Sequence, residues 1–200
     1  MNIKASINTG LSDTLKKGIS NISPIERPIV ELTEIPNPNW LVGFANGDGC
    51  FRVAIFKFNS CNTGFTIRLI FNISQHSLPQ GDIKLLKSFV NYFSGAPSSP
   101  EGRQRLHRSL KGRHDGKLEL QSKRLACSFV VTKFSDVVGI IIPFFVLQKY
   151  PLQGSKRLDF TDFWKVAELR NNKVHLTSEG LKQINVIVSG MNRGRDDLGC

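Results

Sequence analysis

Two hundred residues, 40% of them hydrophobic and carrying a formal charge of +11, make a chain that can bury one good core and that favours a polyanionic partner. Four scattered cysteines with no Cys-x-x-Cys pair argue against a zinc site or a disulfide framework, and a reducing compartment fits them. The apolar run Val137 to Leu147 is short and contains Pro143, so it reads as a buried helix end and not as a membrane span.

Residues 1–34 read as a linker-like segment with neither a secretory signal nor a convincing transit peptide. A domain is expected over 35–195, followed by a short tail, 196–200. Its first helix is legible at both ends. Asn37 can cap it and Pro38 suits the first helical position, where a missing N–H costs nothing. Gly49 fits the left-handed turn that closes many helices. Gly43 and Gly47 lie four apart on one face, so a second helix could approach almost backbone to backbone. Asp48 ends the helix, where partial negative charge makes a carboxylate unfavourable unless a donor or cation compensates it; a divalent metal would serve.

Two extended runs follow, Phe51 to Phe58 and Phe65 to Ser74, separated by the loop-like Asn59-Ser60-Cys61-Asn62-Thr63-Gly64. On the second, Thr66, Arg68 and Asn72 share one face, while Ile67, Leu69, Phe71 and Ile73 share the other. Pro79 to Phe93 is an amphipathic helix. Between Arg103 and Arg124, eight Lys and Arg against Asp115 and Glu119 leave +6 of the chain's +11. A strand is expected over Cys127 to Lys133, then two terminal helices, Leu158 to Asn172 and Thr177 to Val188, the latter capped by Thr177.

Trp40-Leu41-Val42-Gly43-Phe44 with Gly47-Asp48-Gly49-Cys50-Phe51 resembles the signature helix of the LAGLIDADG homing endonucleases. Val130 to Asp136, Ile141 to Phe145, Gln148 to Leu152 and Gly190 to Arg195 resemble segments of fungal mitochondrial intron-encoded members. Four separated matches make coincidence a poor explanation. The resemblance implies an α+β fold, a single repeat with a curved antiparallel sheet and helices packed on one face, similar to the C-terminal half of a two-repeat member. It implies a site-specific, metal-dependent double-stranded DNA endonuclease acting in intron homing, encoded in the mitochondrion, where no transit peptide is needed.

By the same resemblance Asp48 and the Gly47 carbonyl would hold Mg²⁺ or another divalent cation, Gln75 would support the metal and water, and Lys149 would sit near the scissile phosphate. Arg52, Thr66, Arg68 and Asn72 would face the major groove, and Arg103 and Arg105 would neutralise phosphates. Leu41, Val42, Gly43, Phe44 and Gly47 would meet the partner helix, from a second copy of this chain or from a separate N-terminal repeat. Two departures are visible. The groove-facing positions of the first strand, Arg52, Ala54, Phe56 and Phe58, are mostly apolar, and Val146-Leu147 are extra residues ahead of Gln148-Lys149. The alternatives are an RNA-splicing maturase that binds intron RNA, or a decayed fragment that binds DNA and cuts nothing.

Overall fold

The computed structural model describes residues 12–18, 35, 37–60, 63–76, 81–93, 117–121 and 126–192. The chain divides into two units, Met1–Glu31 and Leu32–Cys200. In the first, helix α1 (Asp13–Gly18) is exposed and carries an i,i+3 pair, Lys16 to Asp13 at 3.3 Å. Of the charge cluster between Arg103 and Arg124, only residues 117–121 are described; Arg103, Arg105, Arg108, Lys111, Arg113, Lys123 and Arg124 lie outside the described residues.

The second unit is built on helix α2 (Pro38–Asp48), strands β1 (Gly49–Lys57) and β2 (Phe65–His76), helix α3 (Gly81–Phe93), and strands β3 (Lys117–Gln121) and β4 (Ala126–Val131). After β4 come α4 (Phe134–Asp136), a π turn (Val137–Ile141), α5 (Ile142–Val146), α6 (Gly154–Asn171), a 3₁₀ turn (Val174–Leu176) and α7 (Ser178–Ser189). The strands form a four-stranded antiparallel sheet in the order β1-β2-β4-β3.

Alternation, broken by the buried Ile70 on the opposite face, fixes which face is covered. Phe51, Val53, Ile67, Leu69, Phe71, Ile73, Phe129 and Val131 are buried, and the helices pack onto them with Leu41, Val42, Ala45, Leu86, Phe89, Phe144 and Phe163. Phe51 is the hub. Its ring stacks on Phe71 at 5.0 Å and meets the edges of Phe145, Phe160 and Phe163 at 5.1–5.5 Å, so β1 is locked to β2 and to α6 together. The opposite face stays open, with Arg52, Phe56 and Arg68 exposed.

The helix starts follow their capping residues. Asn37 Oδ1 accepts from the Asn39 N–H at 2.8 Å with Pro38 at the first position, and Thr177 Oγ1 accepts from the Gly180 N–H at 3.0 Å. Gly49 corrects the expectation. It is extended, φ −74 and ψ 149, and starts the strand at once. A Cβ there would lie 2.4 Å from the Ala45 carbonyl oxygen, so glycine is needed for close approach and not for a left-handed turn. The apolar run is helical across the proline because the backbone widens into the π turn ahead of Pro143, which lacks a donor. Val146 and Leu147 emerge exposed where this helix ends, outside the core.

Candidate functional site

Asp48 ends α2 and the next residue begins β1, so its carboxylate is carried on a corner with almost no play. Gln75 lies near the end of β2, beyond Ile73, which pairs with Gly49. That register brings the two together: Gln75 Nε2 donates to Asp48 Oδ2 at 2.8 Å. A neutral donor offsets part of the unfavourable placement of the carboxylate at a helix C-terminus and fixes its rotamer, while leaving the charge in place. Asp48 is exposed, and Oδ1 has no protein partner among the described residues.

The corner is braced from behind by the segment after α5. Lys156 Nζ donates to the Gly49 carbonyl oxygen. The Gln153 N–H donates to Asn46 Oδ1 at 2.8 Å. Further along β1, Asn192 Nδ2 donates to the Phe51 carbonyl at 3.2 Å, and the Asn192 N–H donates to the buried Asp159 at 2.9 Å. β1 is an edge strand, and its Gly49 and Phe51 carbonyls are thus capped by side chains in place of a neighbouring strand. Cys50 donates to Asn192 Oδ1 at 3.7 Å; burial pushes its thiol pKa up, with Lys156 and Arg52 pulling the other way. None of Lys156, Gln153, Asn192 or Asp159 is expected from sequence. The signals are weak: Asn192 falls within the resembling segment Gly190 to Arg195, with no role implied for it, and Lys156 and Asp159 stand at a spacing common in any helix.

Lys149 is exposed, its Nζ 5.2 Å from the Tyr150 ring centroid, and no bond ties it to Asp48 or Gln75. Of the helix-interface residues, Gly43 and Gly47 are exposed, with nothing within 4 Å of where a Cβ would stand. Leu41 and Val42 instead point into this chain's own core, at 0% and 3% exposure. Phe44 is half-buried between Trp40 and Phe89, each ring 5.4 Å away. The open face of α2 is therefore the glycine face.

On the uncovered side of the sheet, Arg52 and Arg68 are exposed and Thr66 and Asn72 half-exposed. Arg68 Cζ lies 5.2 Å from the Phe56 ring centroid, so an apolar residue of β1 orients the guanidinium. Asn72 Nδ2 donates to Ser74 Oγ at 3.1 Å, and Ser74 and Ser128 share a 2.8 Å hydrogen bond. Arg103 and Arg105 lie outside the described residues.

The donor set suits a hard divalent cation. Carboxylate and backbone carbonyl are oxygen ligands of the kind Mg²⁺ and Ca²⁺ take, and Gly47 beside Asp48 is exposed, with nothing within 4 Å of where a Cβ would stand. The described residues hold no cluster of three or more His, Cys, Asp or Glu, and Asp48 is the acid they bring to this corner, enough for a share of a site and not for a closed cage.

An antiparallel sheet bared on one face, with a glycine-faced helix delivering an acid to its edge, defines an α+β scaffold, and the family profile for "LAGLIDADG endonuclease" matches residues 41–167. The chain belongs to that family. It is 33% identical over 189 residues to the Neurospora crassa "Probable intron-encoded endonuclease 3" and 34% identical over 191 residues to "Probable intron-encoded endonuclease 2" of the same organism. Those alignments cover 94% and 90% of this chain but 31% and 35% of the relatives. Among solved structures it is similar to the I-SmaMI LAGLIDADG homing endonuclease bound to cleaved DNA, with TM-score 0.76 and 38% identity over 97% of this chain and 56% of that one. It is also similar to I-LtrWI bound to target DNA, with TM-score 0.74 and 33% identity over 96% and 56%. The chain thus spans about a third of the curated relatives it matches and just over half of these structures.

Proposed function

We propose that this chain is one repeat of a site-specific double-stranded DNA endonuclease that acts in intron homing and hydrolyses phosphodiesters with a divalent cation. The observation that carries the reading is the Asp48–Gln75 pair at the end of a helix whose other open feature is the Gly43/Gly47 face. Asp48 and the Gly47 carbonyl would hold the cation. When bound, such a cation offsets charge developing on the attacked phosphate and lowers the pKa of water. Gln75 keeps one carboxylate oxygen occupied and directs the other outward. Arg52, Thr66, Arg68 and Asn72 lie on the uncovered sheet face, where side chains can reach base edges in the major groove.

One acid per chain calls for a second signature helix on the glycine face, from another copy of this chain or a separate N-terminal repeat. The relatives' intron-encoded character supports an organellar, mitochondrial setting. A nicking and cleavage assay on intron-insertion-site DNA, with Mg²⁺ and with chelator, tests the whole reading. Metal-dependent scission supports it; splicing of intron RNA that survives Asp48→Asn, with no scission under any condition, would favour the maturase role in its place.

A further inference from the structure

Asp48 stands between Gly47 and Gly49, and glycine is the residue type least restricted in backbone conformation, so the neighbouring chain does little to hold the carboxylate still. The restraint comes from elsewhere. Gln75 fixes one carboxylate oxygen at 2.8 Å. The other holds come from one short stretch, Gln153 to Lys156, where α6 begins. The Gln153 N–H donates to Asn46 Oδ1 at 2.8 Å, just before the acid, and Lys156 Nζ donates to the Gly49 carbonyl, just after it. The corner is thus gripped on both sides of Asp48. Lys156 is half-buried and makes no ion pair with Asp48 among the described residues. Its ammonium is a compact charge with three donors, and it sits by the end of α2, where the helix dipole favours a cation. A lysine paired to the carboxylate would compete with a metal ion; one held on the carbonyl steadies the corner and leaves the free oxygen of Asp48 open.

We propose that Lys156 is the positioning residue of the Asp48 corner: through the Gly49 carbonyl it sets the carboxylate geometry that a divalent cation meets. Groups that act on a metal site by orienting its ligands typically contribute about 10–100-fold to metal affinity or activity. A small misplacement of the acid is enough for a loss of that size. The inference rests on the cation-binding reading of Asp48 and adds the residue that holds the acid in place.

The test uses the full chain and duplex DNA carrying the intron-insertion site. Single-turnover scission is followed at sub-saturating Mg²⁺, with duplex affinity measured alongside. Lys156→Met keeps the stem and removes the donors; its rate should fall by about 10–100-fold while duplex affinity is kept. Lys156→Arg, which keeps a charged donor, should recover most of the rate. Arg157→Met removes the same charge from the exposed neighbouring position and should change neither quantity. A second readout needs no scission: in the DNA-free chain, the Gln75 side-chain amide bonded to Asp48 is followed by NMR. Its protons should exchange faster with solvent in Lys156→Met and at the wild-type rate in Arg157→Met. Asn46→Ala, which removes the acceptor on the other side of Asp48, should move both readouts the same way and stands in if Lys156→Met does not fold. Unchanged Gln75 exchange in Lys156→Met overturns the inference whatever the Tm, and faster exchange with a wild-type rate of scission does so too; both leave the endonuclease reading standing. Equal losses of rate in Lys156→Met and Arg157→Met assign the effect to charge alone and overturn it as well. A wild-type chain that cuts nothing overturns the endonuclease reading instead, and Gln75 exchange then decides the positioning by itself.

Discussion

Gly49 and Gly43, on either side of Asp48, should respond to a single methyl group in opposite ways. At Gly49 the added Cβ would meet three backbone atoms of Ala45, the carbonyl oxygen at 2.4 Å, Cα at 3.0 Å and the carbonyl carbon at 3.1 Å. None of these can swing away as a side chain would, so the corner between α2 and β1 must open. Overpacking of that kind costs ~2–3 kcal/mol, or about 5–10 °C in Tm for a domain of this size. At Gly43, in the helix interior, nothing lies within 4 Å. Gly43→Ala should stabilise the isolated chain by ~0.5–1 kcal/mol through backbone entropy alone. The same methyl should weaken assembly on a partner helix, because it blocks backbone-to-backbone approach. Urea denaturation of the two variants, with sedimentation in the presence of DNA, separates the effects. A Gly49→Ala chain as stable as wild type would refute the steric argument, and a Gly43→Ala chain that is destabilised would show that this face is already covered within the chain.

Asp48→Asn should abolish cleavage while duplex affinity stays within a few-fold, measured by gel cleavage and fluorescence anisotropy, because a ligand is removed and every groove-facing side chain is kept. Neutralising Arg103, Arg105 and Arg108 together should flatten the salt dependence of binding by ~0.9 for each phosphate they had neutralised; an unchanged slope would place that cluster off the DNA. His175 has a folded pKa below its unfolded value of about 6.5, so the unfolded chain binds more protons as pH falls. Stability is therefore full above about 6.5 and is lost as pH drops through that value towards the folded pKa. Thermal melts from pH 8 to 5 should show this loss, and His175→Gln should reduce it.

The elements were legible where one physical period dominated. β1 and β2 alternate well enough that their covered and open faces can be assigned, apolar Ile70 on the open face being the exception, and Asn37-Pro38 and Thr177 mark helix starts by capping chemistry that needs no tertiary partner. The Asp48–Gln75 pairing was readable only through the family wording. Gly49 was right in kind and wrong in cause, since a close approach to Ala45 leaves no trace in local composition. Lys156, Gln153 and Asn192 were invisible for a stronger reason. Each bonds to a group more than a hundred residues away in sequence, through one polar atom with no periodic signature. The widening at Val137–Ile141 was hidden likewise, because Pro143 in an apolar run reads as a break when backbone relaxation lets the helix continue.

Among the described residues, several groups break the rules of a self-sufficient domain. A carboxylate ends a helix with the wrong sign for the dipole, and Gln75, its direct hydrogen-bond partner, is neutral. The longest open face of that helix is bare glycine, which adds conformational entropy to the unfolded chain and contributes no packing in return. Arg68 and Arg170 are steadied by aromatic rings and not by carboxylates. The packing behind β1 is by contrast well closed: Phe51 is enclosed by four rings, and the outward carbonyls at the start of β1 are capped. An acid and a glycine face left open beside so well packed a core are the features that the proposed reading would complete from outside, the acid by a cation and the helix by its counterpart.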